Sequence, residues 1–169
     1  MSKPAAATAG IDVSIVIRCT PARLLKAFFD HAALGAWWQV RNSVTTPRVL
    51  GAYAIEWDPT DFKDDVLGRL GGTLRGTVLQ YDAGRGFFVA DVFHLPPDGE
   101  PIGPMALEVT LTPVAAAEGA PPIPEDEQTV HVRIQQTGFE ESPRWRRYYE
   151  LVRGGWERAL HSLKMLLEK

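Results

Sequence analysis

The stretch SPRWRRYYELVRGGWERALHSLKMLLEK, Ser142 to Lys169, decides the fold. Ser142 has the side chain of a helix N-cap, and Pro143 suits the first helical position, where no backbone N–H is needed. Beyond them Trp145, Tyr149, Val152, Trp156, Leu160, Leu163 and Leu167 recur at steps of three and four, a continuous apolar stripe on one helical face. A helix of about 26 residues rising about 1.5 Å each is about 39 Å long, enough to cross a whole sheet. Arg146, Arg147, Glu150, Arg153 and Glu157 fall on the other side, with Arg146–Glu150 and Arg153–Glu157 as opposite charges four residues apart. That spacing predicts a solvated, self-compensating face, not the nucleic-acid surface that the run Arg144–Tyr149 superficially suggests.

Gly154 and Gly155 interrupt this helix, each costing about 0.8–1 kcal/mol relative to alanine. Gly155 adjoins Trp156 on the stripe, so it is expected to let the helix backbone approach the sheet or a ligand closely. On that reading Gly155→Ala destabilises by steric conflict, whereas Gly154→Ala is neutral or stabilising.

Upstream, the pattern is that of strands. Ile11, Val13, Ile15 and Ile17 alternate with polar residues, the period of a strand with one buried face. Thr20-Pro21 opens a first short helix carrying Leu24, Leu25, Phe28 and Phe29, and Leu34, Trp37 and Trp38 continue in a second. Tyr53, Ile55 and Trp57 alternate again, and Thr73–Tyr81, Phe87–His94, Met105–Leu111 and Thr129–Gln136 read as further strands. Asp82–Gly86 is a hairpin turn. Asp58–Gly72 and Pro113–Gln128 read as loops within one domain. In the first, Phe62, Val66, Leu67 and Leu70 have spacings that suit one or two helical turns; if they pack over a cavity mouth, the loop is a lid. Strand, two short helices, a run of antiparallel strands and one long helix is an α+β order, with the curved sheet wrapped around the final helix.

These segments resemble the Hsp90-activator-homologue family of the Bet v 1-like superfamily, also called START or SRPBCC. The resemblance lies in Ser14–Ile17 leading into Thr20–Phe28, in Ala32–Trp38 with its paired tryptophans, in Gly76–Asp82 before the hairpin, and in Thr137–Phe139 followed by Gly155-Trp156 with Leu160, Leu163 and Leu167. It spans about Ile11 to Glu168. It implies the helix-grip fold, which commonly encloses a cavity between sheet and helix. Asp91 stands where that family often has tryptophan, and the two long loops exceed its usual turns.

Composition sets outer bounds. The chain has 169 residues, 45% hydrophobic and 23% charged, with net charge −3. This is the composition of one globular domain, which at this size buries about 70% of the surface its unfolded chain exposes. The expected organisation is a flexible leader over residues 1–10 and a single domain over 11–169. No run suits a membrane span, Met1–Gly10 lacks the apolar core of a signal peptide, and Cys19 is the only cysteine, so a cytoplasmic location is expected. The net charge gives no general attraction to nucleic acid or anionic membrane.

No catalytic signature occurs: no phosphate-cradling glycine loop, metal-binding H-E-x-x-H, C-x-x-C or nucleophile elbow. His31, His94, His131 and His161 lack ligand spacing, and Asp58, Asp61, Asp64 and Asp65 lack the pattern of a calcium loop, so no metal or cofactor is expected. The aromatic residues carry more information. Trp37, Trp38, Tyr53, Trp57, Trp145, Tyr149 and Trp156 all fall on inward faces; they are core or, with Met105, the lining of a cavity for an apolar or aromatic ligand. Strict alternation puts Phe87, Val89, Asp91 and Phe93 on one face, taken as inward from the resemblance. Asp91 is then a ligand-orienting or catalytic acid, or a hydrogen-bonded structural residue.

Three functional readings follow. The first is a binding protein for a small hydrophobic ligand. The second, invited by the family resemblance, is a chaperone-linked interaction module, although the eukaryotic activators carry a further N-terminal domain. The third is an enzyme of cyclase or hydrolase type, with Asp91 as acid or base and Glu56 or His94 assisting. A homodimer through an outer face bearing Phe88 and Val92 is a further expectation.

Overall fold

A computed structural model describes residues 10–169; most of the expected leader therefore lies outside the described residues. The chain order is β1 (Ile11–Arg18), α1 (Pro21–Ala27), α2 (His31–Trp38), β2 (Asn42–Thr45), β3 (Ala52–Trp57), β4 (Lys63–Asp64), β5 (Gly68–Arg69), β6 (Gly72–Asp82), β7 (Gly86–Leu95), β8 (Ile102–Pro113), β9 (Thr129–Thr137) and α3 (Pro143–Leu167). Seven strands form one antiparallel sheet in the order β1-β9-β8-β7-β6-β3-β2, and β4-β5 is a separate two-stranded ribbon. The Asp58–Gly72 segment is thus a β-ribbon, not the helical turns its apolar spacing suggested.

Local chemistry sets the helix starts. Thr20 Oγ1 accepts the Arg23 backbone N–H at 3.2 Å, Asp30 accepts that of Ala33 at 2.9 Å, and Ser142 Oγ accepts that of Trp145 at 3.1 Å. The long helix buries Tyr148, Trp156, Ala159, Leu160, Leu163 and Leu167. A fully buried leucine contributes about 1.5–3 kcal/mol and an N-cap about 1 kcal/mol, so the buried stripe as a whole outweighs the cap. Its C-terminal end is tied to the sheet edge: Lys164 Nζ donates to Val16 O at 3.0 Å, and Glu168 accepts the Arg18 backbone N–H at 2.8 Å. These contacts also cover backbone that an edge strand otherwise leaves open to another chain. On the exposed side, Arg153 pairs with Glu157 at 3.2 Å as expected, but Arg146 pairs with Glu141 and Arg147 with Glu150.

The strand β7 departs from simple alternation. Val89 is opposite Leu107 and Val92 opposite Met105, so three steps on β7 match two on β8; the same extra residue appears against β6. This is a β-bulge, and it exchanges the two faces of the strand. Phe87 and Val89 point inward before it, and Val92 and His94 after it; Val92 is buried. Asp91 adopts a left-handed φ of 52° and is exposed, and Arg75 stacks over the outward Phe93 ring at 5.8 Å. The inward Asp91 and the outward Val92 of the sequence reading are both overturned, because one inserted residue rephases every side chain that follows. With Val92 inside, the dimer face proposed through Phe88 and Val92 loses half its apolar pair. Gly76 on the neighbouring strand accommodates the bulge: a Cβ there would lie 2.6 Å from Val89 Cγ1 and 2.8 Å from Ala90 O.

The bulge makes a test at Asp91. Asp91→Gly is expected to be tolerated, and Asp91→Val to cost about 1–2 kcal/mol, because a β-branched residue is poorly suited to left-handed backbone. Urea denaturation measures both. A buried, inward carboxylate would give the reverse order, with Asp91→Val the more stable.

Candidate functional site

The N-terminal half of α3 does not lie flat on the sheet. A cavity of about 550 Å3 remains between α3, α2, the concave sheet face and the β4-β5 ribbon. Tyr148, Leu151, Val152, Gly155, Trp156 and Ala159 line it from α3, a helical stripe at steps of three and four. Trp37 and Trp38 contribute from α2, Trp57 from β3 and His94 from β7.

The aromatic walls form a continuous series. Trp37 stacks on Trp38 with ring centroids 5.0 Å apart; Trp38 meets Trp57 edge-on at 5.2 Å and Trp156 at 4.6 Å; Trp57 lies 6.0 Å from the His94 ring, which meets Tyr148 edge-on at 5.4 Å. Such offset and edge arrangements contribute about 0.5–1.5 kcal/mol per pair beyond area burial. Three of the four cavity indoles have their N–H satisfied within the protein, Trp38 being the exception. Trp37 donates to Ala27 O, Trp57 to Trp38 O and Trp156 to Gln136 Oε1, each at 2.9 Å. Gln136 is itself buried and directs its amide N–H at Met105 Sδ, 3.3 Å away.

His94 is the titratable group inside. Nε2 lies 2.8 Å from Gly71 O, and Nδ1 lies 2.9 Å from Tyr148 Oη. A carbonyl only accepts, so Nε2 carries a proton; burial disfavours a second one, so Nδ1 accepts from the tyrosine hydroxyl. Burial holds the imidazole below its ordinary pKa, partly countered by the bond to Gly71, and burial likewise raises the Tyr148 hydroxyl. No buried side-chain N or O atom among the described residues lacks a hydrogen-bond partner.

The ribbon closes one side. Leu67, buried, and Leu70 face the cavity, whereas Phe62 and Val66 are exposed, so only half of the expected apolar set packs over the opening. Two carboxylates hold the ribbon in place. Asp64 accepts from the backbone N–H groups of Val66 and Leu67 and from Arg147 of α3, whose Nη2 is 2.6 Å away. Arg147 foremost, with those two amides, holds the Asp64 carboxyl down at about 2. Asp98 accepts both the side chain and the backbone N–H of Arg69 and is likewise held at about 2, chiefly by the Arg69 side chain.

The structure sorts the sequence-derived residues into groups. Trp37, Trp38, Trp57 and Trp156 meet at the cavity. Tyr53 and Met105 are buried but belong to the core beyond it; Tyr53 donates to Phe28 O at 2.9 Å and packs on Phe29 and Phe87. Trp145 and Tyr149 pack against Phe139 at 5.4 and 5.8 Å and line a separate, smaller depression. Tyr148, one residue earlier than Tyr149, is the buried tyrosine, a rotation of 100° that the apolar count alone does not resolve because both neighbours are aromatic. Asp91 and Glu56 lie on the convex side, so the acid–base trio of Asp91, Glu56 and His94 is not assembled. No group of three or more His, Cys, Asp or Glu side chains suited to a metal ion occurs among the described residues. Gly155 is also corrected: a Cβ there meets nothing within 4 Å, because the glycine faces the open cavity and not the sheet. Gln136 and Tyr148 were missed, and neither carries a distinctive sequence signal.

The curved antiparallel sheet, the two short helices after β1 and the long closing helix together make the helix-grip fold. The solved structures the chain resembles include protein MLL2253 of Mesorhizobium loti, 22% identical over 93% of this chain and 96% of that one, with a TM-score of 0.61. Protein CV1439 of Chromobacterium violaceum is 21% identical over 95% and 98%, with a TM-score of 0.59. The Aha1 dimer of Colwellia psychrerythraea is 18% identical over 95% and 96%, with a TM-score of 0.57. At these identities the likeness establishes the fold, which bears out the helix-grip expectation drawn from the sequence. No protein-family model matches the chain, and no curated protein matches it. No helix among the described residues is long and apolar enough to cross a membrane.

The Asp64 clasp has a definite pH signature. Its folded pKa lies below the ordinary 3.8, so its stabilisation is complete above about pH 4 and is lost as pH falls towards 2. Asp64→Asn is therefore expected to lower the melting temperature at pH 7, with the gap from the native protein closing between pH 4 and pH 2. A gap that is constant with pH means that the carboxylate charge does not hold the ribbon.

Proposed function

We propose that the protein binds a small apolar or aromatic molecule in the cavity between the sheet and α3. The carrying observation is the cavity itself: about 550 Å3 walled by Trp37, Trp38, Trp57 and Trp156, with the indole N–H groups of Trp37, Trp57 and Trp156 already engaged. Walls whose polar atoms are mostly paired present ring faces and edges, which favour an apolar or aromatic body of drug-like size. The ribbon is the lid of this site, its Leu67 and Leu70 covering the ligand while Asp64 and Asp98 latch it. A second reading, a chaperone-linked interaction module, is favoured only by the likeness to the Aha1 dimer; stimulation of an Hsp90-type ATPase by the purified protein tests it.

The cavity reading predicts different results at the two glycines. Gly155→Leu fills open space and gains up to about 1 kcal/mol of helix propensity, so its denaturation midpoint stays level or rises while ligand binding is lost. Gly154→Ala gains similar propensity and keeps binding. Titrations followed by tryptophan fluorescence, across fatty acids, sterols and aromatic polyketides, supply the binding readout. Absence of any bound species by native mass spectrometry, with no thermal shift across that set, contradicts the reading.

A further inference from the structure

Resting on that reading of the cavity, the charges at its mouth narrow the ligand class. Three charged residues at the mouth bear on the argument: Asp58, Arg69 and Arg158. Asp58 is engaged by Arg41 at 3.0 Å, and Arg69 by Asp98 at 3.0 Å. Arg158 makes no ion pair or side-chain hydrogen bond among the described residues. The mouth therefore presents one uncompensated cation beside an aromatic interior.

The helix backbone is shaped around that cation. A Cβ at Gly154 would lie 3.2 Å from Nη1 of Arg158, so the guanidinium lies back along α3 over the glycine. Gly155, the next residue, opens onto the cavity. Two adjacent glycines that disfavour the helix thus serve neighbouring purposes: one clears space for a ligand body, the other for a charged head beside it.

We propose that the ligand is an organic acid, its carboxylate or like anion docked on Arg158 and its apolar body against Trp38, Trp57 and Trp156. A planar guanidinium fork matches a carboxylate bidentately, and a flanking aromatic cavity takes the remainder. The inner end holds no opposing charge, because burial disfavours the charged form of His94, whose two ring nitrogens are both occupied. A cationic ligand would meet repulsion at Arg158, and a neutral one would gain nothing from the exposed guanidinium. The chain as a whole carries −3, so attraction of an anion at this point is local to the mouth and not a property of the molecule's overall field.

Two matched series test this on the full chain at pH 7.5. Dodecanoic acid, dodecanol and dodecylamine form the acyl arm; 2-naphthylacetic acid and 2-naphthylethanol form the aromatic arm. In at least one arm the acid is expected to bind about tenfold more tightly than the alcohol, the size of one charge-assisted hydrogen-bonded contact. The arm that shows it identifies the body the cavity accepts. Arg158→Gln should bring the acid's affinity down to the alcohol's, and Arg158→Lys should retain part of the preference. Equal binding of acid and alcohol in both arms, or a preference that survives Arg158→Gln, overturns the acid assignment and leaves the cavity reading standing. No binding of any compound in either arm overturns both.

Discussion

A straight helix cannot touch a curled sheet along its whole length, and the two ends of α3 divide that conflict between them. The C-terminal half is fixed: Leu160, Leu163 and Leu167 are buried, Lys164 and Glu168 bond the β1 edge, and Arg23 of α1 donates to Leu167 O at 2.7 Å. With that end pinned, the sheet's curvature carries its other side away from the N-terminal half of the helix. The separation is the cavity. A packed interior tolerates few voids larger than a water molecule, so a space of this size persists only where rigid walls prevent collapse. The interlocked indoles and the satisfied Gln136 bridge supply that rigidity.

The bulge on β7 contributes to the same end. By rephasing the strand it brings His94 to the cavity and sends Asp91 to solvent, and Gly76 across the ladder leaves room for the displaced backbone. Bulges increase local twist, which deepens the concavity that faces α3. The ribbon then spans the remaining opening, held by Arg147 and Asp98 from two different elements.

Much of this was legible in the sequence where a long periodic pattern spoke without competition. The α3 stripe, its Ser142 cap, the strand alternation of β1 and β3 and the paired tryptophans of α2 placed the fold and the cavity's four indoles. The failures share one cause: a pattern records which residues are apolar, not where the backbone gains a residue or turns by one position. Both faces of β7 are apolar, so nothing in its composition marks the bulge that moved Asp91 outward. Tyr148 and Tyr149 are chemically alike, so only packing against the sheet selects Tyr148. Gly155 showed the opposite lesson. Its helix penalty correctly flagged a special position, but a glycine beside a buried tryptophan fits close approach and open space equally well, and the sequence does not distinguish them.

The polar groups show how such a site keeps its chemistry separate from its shape. Gly71 O is the fixed point: a carbonyl cannot donate, so it sets the His94 tautomer, which in turn sets the direction of the Tyr148 hydroxyl. The pair is thereby closed on itself, and burial keeps the imidazole uncharged at neutral pH. An interior built this way exerts no charge on what it encloses and has no free base to abstract a proton. Discrimination by charge then falls to the mouth, where Asp58 and Arg69 are already paired by neighbours and Arg158 is not. On the proposed reading, shape and aromatic contact select the body of a ligand, and a single guanidinium reads its head. The division follows from which polar groups the fold satisfies internally and which one it leaves open.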